Sequence, residues 1–404
     1  MSPDPTAASV AAPLPAAGTS VRGMSAEHDP KRTDRPRTAA AGSSDTAATA
    51  AELGAGAAAN STAPSAGAAR PAIGAAGPTA TARPGGPSTW QAAAPPRPAT
   101  LPEDALVLGL DVGGTTIKGE ITDRTGEVLA VATVATPQGE AAFEAMGALG
   151  DQLLAELSAA QRDRVRRAAV VLPGIVDSTR SIAVFSSNVG WRDVHIGDRF
   201  VDRWGIPVLI EHDVAVAGWA EWRFGAGRGH DNVCVVILGT GISGTLSVGG
   251  QLVRSGYGQV GEYGHIPVRP DGLPCPCGNT GCVETVASGA SIARAYTRRT
   301  GRETKGAAEV FALVACDPDA KAVLVDAVDA LADGLIGIVH AACPELIILG
   351  GGLAGAGAAL TDPLHQAIAD RLRLVPAPRV VLGAYGARAG LMGAALLARQ
   401  GALA

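Results

Sequence analysis

Two segments of the chain read as a buried strand, a glycine turn and a second strand, and they lie about 125 residues apart. The first runs from Ala105 to Asp123, ALVLGLDVGG followed by TTIKGEITD. The second runs from the apolar stretch Asn232 to Leu238 into GTGISGTLSVGG. Solenoid repeats are much shorter than this spacing, so the pattern predicts a duplicated lobe in an α/β fold with a cleft between its halves. Glycines at such turns let backbone amides approach anionic oxygens, and threonine hydroxyls add donors. Asp111, Gly113, Gly114, Thr115, Thr116 and Lys118 in the first segment are therefore candidates for a nucleotide-phosphate site, as are Gly239, Thr240 and Gly241 in the second. Neither is a Walker loop, because GxxxxGK[ST] is absent. GTGISG is not a dinucleotide fingerprint either, because a strand and not a helix follows it.

Facing glycine hairpins that clamp a phosphate chain are the geometry of the actin-like ATPases, a duplicated ribonuclease H-like fold. Residues 1–102 stand apart from this pattern: they are built from Ala, Pro, Gly, Ser and Thr and bury too little apolar surface to offset ordering, which predicts a disordered tail. The folded part then divides into an N-terminal lobe over 103–213, completed by a C-terminal helix over 388–402, and a C-terminal lobe over 214–387. Lys+Arg 33 against Asp+Glu 38 gives a net charge of −5, which argues against a general nucleic-acid or anionic-membrane surface. No secretory leader or membrane-length apolar run is evident, so a cytoplasmic location is expected. The cluster Arg162, Arg164, Arg166 and Arg167 reads as the solvated end of a helix.

Periodicity places the other elements. Phe143, Met146, Leu149, Leu153, Leu154 and Leu157 predict one amphipathic helix from about Gly139 to Gln161. Ala168 to Leu172 reads as a buried strand ending in Pro173-Gly174, a position where α/β proteins bind ligands. Val208 to Ile210 is a short strand running into a helix from about Val214, with Asp213 just before it. Ser288 to His340 is helical, Glu345 to Leu349 is a last strand before Gly350-Gly351-Gly352, and Gly390 to Arg399 closes the chain as a helix.

The cysteines are unevenly placed. Cys234, Cys316 and Cys343 are scattered and expected to be buried small hydrophobes. Cys275, Cys277 and Cys282 lie together, with His265 ten residues upstream of the first. Three thiolates and an imidazole complete a closed tetrahedral zinc shell with no open position, so a structural zinc is expected.

These pieces fall into a recognisable series. LGLDVGGTTIKG, PGIVD at Pro173 to Asp177, SNVGW at Ser187 to Trp191, HDVAVAGWAE at His212 to Glu221, LGTGISG, GEYGHIPV at Gly261 to Val268, CPCGNTGCVE at Cys275 to Glu284 and LGGGLAGAG at Leu349 to Gly357 occur in order. With them the chain resembles the ROK family (repressor, open reading frame, kinase), and within it the bacterial glucokinases. The resemblance implies an ATP-dependent hexose kinase acting on the 6-hydroxyl of glucose, with Mg²⁺ beside the nucleotide and Asp213 as the general base. It implies that Glu262, His265 and Glu284 bind the sugar, with Gly174, Asn188 and His212 at further sugar positions, and that Gly351 and Gly352 lie on the adenosine side. His265 would serve both zinc and sugar through its two nitrogens. Members of the family are commonly homodimers or homotetramers.

One position departs from the family: His212 stands where asparagine usually precedes the aspartate. Imidazole offers its donor and acceptor in different directions from an amide, which leaves the choice of hexose open. N-acetylmannosamine, N-acetylglucosamine, mannose or fructose could replace glucose, and polyphosphate could replace ATP. A sugar-sensing regulator is the other class of reading, but residues 1–102 lack an apolar-periodic helix pair and a basic run, which argues against a DNA-binding domain.

Overall fold

The computed structural model describes residues 100–186, 188–254 and 260–403. The tail expectation falls mostly on 1–99, which lie outside the described residues. The chain opens with three antiparallel strands, β1 (Leu106–Val112), β2 (Thr116–Thr122) and β3 (Val128–Ala135). Two helices follow, α1 (Glu140–Ala155) and α2 (Ala159–Arg162), and then β4 (Val165–Leu172). A small antiparallel sheet comes next, made of β5 (Ile175–Asp177), β6 (Ile182–Ser186) and β7 (Trp191–His195). Helix α3 (Ile196–Trp204), strand β8 (Val208–His212) and helix α4 (Asp213–Arg223) complete the first half.

The second half repeats the opening with β9 (Val233–Leu238), β10 (Ile242–Val248) and β11 (Gln251–Leu252). A 3-10 turn at Tyr263–His265 precedes the helices α5 (Val283–Ala287), α6 (Gly289–Thr300), α7 (Ala307–Leu313) and α8 (Pro318–Ala342). Strand β12 (Leu346–Gly350), helix α9 (Ala358–Arg371), strand β13 (Arg379–Leu382) and helix α10 (Ala389–Gln400) finish the chain.

The two five-stranded sheets have the same construction. Their orders are β3-β2-β1-β4-β8 and β11-β10-β9-β12-β13, each an antiparallel hairpin extended by two parallel strands. This is the duplicated ribonuclease H-like arrangement of the actin-like ATPases. Alternation along the central strands explains how the sheets stack, because successive side chains leave opposite faces. Leu106, Leu108 and Leu110 of β1 pack with Phe143 and Met146 of α1 and Phe200 of α3. Val107, on the other face, joins Val216, Trp219 and Trp222 of α4, Ala394 and Leu397 of α10, and Val233 and Val235 of β9. Cys234, Val236 and Leu238 of β9 face away, into a third core with α6, α8 and α9. Helices α4 and α10 are thus the layer shared by both sheets.

Several expectations need correction. The predicted helix over 139–161 breaks after Ala155 because Ser158 and Gln161 form a reciprocal capping box that starts a new turn. The arginine cluster is not a helix end: only Arg162 lies in α2, while Arg166 and Arg167 are on β4. Arg167 is buried and donates to the Ala398 carbonyl. Cys316 and Cys343 are exposed, and only Cys234 of the scattered cysteines is buried. The strand at Glu345 to Leu349 is not the last, because β13 pairs beside it in parallel.

Glu221, near the end of α4, is fully buried and ties that helix to the segment after β13. Its carboxylate accepts the amides of Ala384 and Tyr385, each at 2.7 Å, and that of Ala226 at 3.4 Å. Charge-assisted bonds of this kind are strong, and their loss leaves buried amides without partners. Glu221→Ala is therefore expected to destabilise the fold by roughly 3 kcal/mol, read as a lower urea midpoint, with a smaller loss in Glu221→Gln.

Candidate active site

Asp111 is the penultimate residue of β1 and Asp213 begins α4, and both line one cavity of about 240 Å³. Its other walls are Val214 and Ala217 of α4, Ile237 of β9, Gly351 and Gly352 after β12, Gly386 and Ala387, and Ala389 and Gly390 at the head of α10. The first turns of two helices therefore open onto the same space. Their free amides and aligned dipoles favour anions there. Gly390 packs so closely on Asp111 that a Cβ would lie 2.7 Å from its carboxylate.

The two carboxylates are electrostatically unusual. Burial pushes Asp213 up to about 7, Glu262 adds to the rise, and the Val214 amide, donating to Oδ1 at 2.7 Å, opposes it. Burial likewise pushes Asp111 up to about 6, with Asp213 adding to it and Lys118 across the strand pair opposing. Acidic oxygens that repel one another across a cavity are a place where a divalent cation relieves the repulsion, so Asp111 fits the expected Mg²⁺.

The other sequence candidates lie outside the lining of this cavity and fall in three groups. Gly113 closes the first hairpin by donating to the Thr116 carbonyl at 2.9 Å, leaving Gly114 and Thr115 exposed at its tip. Asn188 borders that tip, since a Cβ on Gly114 would sit 3.7 Å from its own. Gly174 occupies the bend between β4 and β5, against the Phe185 carbonyl. In the second hairpin Gly239 donates to the Gly241 carbonyl at 2.9 Å, with Thr240 and Gly241 exposed.

Glu262 and His265 flank the 3-10 turn, with Glu262 Oε2 4.0 Å from His265 Nε2. Gly261 explains how this segment comes so close to the second hairpin. It has φ +83°, and a Cβ there would lie 1.7 Å from the Gly244 carbonyl oxygen. Glu284 does something the sequence did not disclose: its Oε2 accepts the Ile242 amide at 2.8 Å, bracing the second hairpin from α5.

His212 has an engagement that the sequence reading did not include. It is the N-cap of α4, and Asp213 is the first residue of the helix instead of the residue before it. The cap was legible in principle, because a side-chain acceptor three residues before a free amide is the usual start signal, but histidine is an infrequent choice for it.

His265, Cys275, Cys277 and Cys282 converge so that their ligand atoms all lie within 4.8 Å of one another. Cys275 Sγ is 3.5 Å from His265 Nδ1, and Cys277 Sγ is 3.7 Å from Cys282 Sγ. A tetrahedral zinc with bonds of roughly 2.3 Å to sulfur and 2.0 Å to nitrogen separates its ligands by roughly 3.5 to 3.8 Å. The donor set fits that ion in type, number and spacing. Because His265 turns Nδ1 to the thiols, Nε2 faces Glu262. Burial and the neighbouring sulfurs push the Cys282 thiol up to about 12, the crowding that a bound cation reverses. Arg269, on the same loop, is clasped to α8 through Asp333 at 2.6 Å, and Arg371 of α9 holds the other oxygen of Asp333 at 2.8 Å.

The ROK family model matches residues 107–401. The chain belongs to the ROK family. It is 34% identical over 321 residues to a glucokinase of Streptomyces coelicolor, covering 73% of this chain and 98% of that one. An N-acetylmannosamine kinase of Yersinia pseudotuberculosis is 32% identical over 302 residues, with 72% and 98% covered. Among solved structures, a ROK glucokinase from Streptomyces griseus in complex with glucose and AMPPNP superposes with a TM-score of 0.64 at 33% identity, covering 73% of this chain and all of that one.

The raised pKa of Asp213 has a consequence for stability. A carboxyl favoured as the neutral acid in the fold contributes stability below its unfolded value near 4, and that contribution is lost as pH rises through about 7. Asparagine cannot ionise. Asp213→Asn is therefore expected to raise Tm relative to the parent protein at pH 8, with a smaller difference at pH 5, as read by thermal melts at both pH values.

Proposed function

We propose that this chain is an ATP-dependent hexose kinase, with glucose as the first expected substrate and the 6-hydroxyl as acceptor. The observation that carries the reading is Asp213, a desolvated carboxylate at the head of α4 that shares a cavity with Asp111 and the glycines after β12. A base whose pKa is near 7 takes a proton from an attacking hydroxyl efficiently at neutral pH. The glucokinase relatives and the AMPPNP complex support hexose and ATP as the substrates.

In this reading the triphosphate enters between the two glycine hairpins. The first turns of α4 and α10 add positive dipole ends, and Gly351 and Gly352 adjoin the nucleoside. Bound magnesium supplies charge neutralisation for the phosphates, with Asp111 as its protein anchor. Glu262, His265 and Glu284 hold the sugar hydroxyls, with Gly174 and Asn188 bordering the acceptor. Asp213 accepts the proton as the hydroxyl oxygen attacks the γ-phosphorus. Such a reaction belongs where ATP and free hexose coexist, in the cytoplasm. Among the described residues no helix is long and apolar enough to cross a membrane.

A second sugar, N-acetylmannosamine, has specific support in the kinases for it at 32% identity. An ADP-release assay over glucose, mannose, fructose and the two N-acetylhexosamines separates the readings. The kinase proposal fails if no hexose supports ADP release. Asp213→Asn is expected to lower kcat by at least about a thousandfold while leaving hexose binding within a few fold. In the parent protein kcat/KM should fall about tenfold per pH unit below pH 7, because only ionised Asp213 accepts the proton.

We also infer a structural zinc on His265, Cys275, Cys277 and Cys282. It would rigidify the loop that carries His265 and supply no chemistry to the transfer itself. Elemental analysis is expected to find one zinc per chain, and its removal should raise the hexose KM far more than the ATP KM. A verified metal-free protein with unchanged hexose affinity would sink the link between loop and sugar.

A further inference from the structure

The junction between β8 and α4 bonds one nitrogen of the His212 imidazole and places the other beside Asp213. Nδ1 accepts the Ala215 amide at 3.4 Å and so caps the helix. A ring nitrogen that accepts has no hydrogen of its own, so the neutral ring carries it on Nε2. Burial favours that neutral ring, against the pull of Glu262 and Glu211. Nε2 lies 3.3 Å from Asp213 Oδ1, the oxygen that also accepts the Val214 amide. Among the described residues no other residue donates a hydrogen bond to Asp213 Oδ2. Oδ1 accepts the helix amide with Nε2 close beside it, and among the described residues no neighbouring side chain reaches Oδ2.

We propose that His212 is a positioning residue for the base: its cap bond fixes the imidazole tautomer, Nε2–H holds Asp213 Oδ1, and Oδ2 remains as the oxygen that takes the acceptor proton. This deepens the kinase reading and rests on it. A ring with both nitrogens engaged inside the protein has no hydrogen-bonding group left for the sugar, so His212 bounds the hexose site without ligating it. Its departure from the family's asparagine then changes how the base is held.

Two substitutions separate the functions of the ring. Asparagine places its amide oxygen near the position of Nδ1 and ends a bond short of Nε2, and glutamine reaches the position of Nε2 and gives up that of Nδ1. His212→Asn keeps the cap, because asparagine is a favoured N-cap. It is expected to hold Tm, lower kcat about tenfold or more through a misplaced base, and leave the hexose KM within twofold. His212→Gln is expected to lower Tm and to retain more kcat than His212→Asn. An unchanged or higher kcat in His212→Asn with a lower hexose KM overturns the proposal, because that pattern marks a sugar ligand. Nitrogen-15 NMR of the histidine rings gives a readout independent of substrate: the His212 signals should report hydrogen on Nε2 and none on Nδ1, and Asp213→Asn should shift Nε2. A proton on Nδ1 overturns the proposal whether or not any hexose is phosphorylated. Failure of the whole substrate panel with the expected NMR pattern overturns the kinase reading instead.

Discussion

A carboxylate that is to act as a base must be poor enough in water to want a proton and well enough supported to remain an anion until one arrives. In the proposed reading Asp213 is held between these demands. Burial raises its pKa by about three units from 3.8 to about 7, while the Val214 amide and the positive end of α4 limit the rise. A strand end running directly into a helix start meets both. The parallel strand β8 delivers the chain to the edge of the cavity, and the first turn of α4 supplies free amides at that spot.

The rest of the fold keeps this junction in place. The shared layer of α4 and α10 is wedged between the two sheets by Trp219, Trp222, Ala394 and Leu397. Both helices therefore point their first turns into one cavity. The cysteine loop is fixed at its start by Arg269 on Asp333, and its far end leads directly into α5. Glu284 on α5 grips the second hairpin at Ile242. The cysteine loop, through the helix it leads into, and the second hairpin are thus joined by a single carboxylate.

Features carried by residue type at short spacing were legible in the sequence: the glycine hairpins, the cysteine cluster with His265, the strand leading to Asp213, and the closing helix. The duplicated sheet followed from the repeat of strand, turn and strand. What escaped depended on partners distant in sequence. Nothing near Glu284 foretells its bond to Ile242, 42 residues away, and nothing near Arg167 foretells a bond to Ala398. The small sheet of β5, β6 and β7 was passed over because its strands are three to five residues long, and β7 is mostly exposed. The bond of His212 to the Ala215 amide at the start of its own helix escaped too, because the substitution drew attention to chemistry and away from the backbone.

Helix α4 also acts as a ruler. Asp213 sits at its head and Glu221 eight residues on, a rise of about 12 Å. Glu221 clamps the amides of Ala384 and Tyr385, and the chain returns from there to the cavity at Gly386 and Ala387. The gap between the Asp213 carboxylate and that far wall is therefore set by a count of helical residues. Inserting one residue between them would swing the acid about 100° around the axis, so the interior of α4 is intolerant of changes in length even where its side chains never meet a substrate.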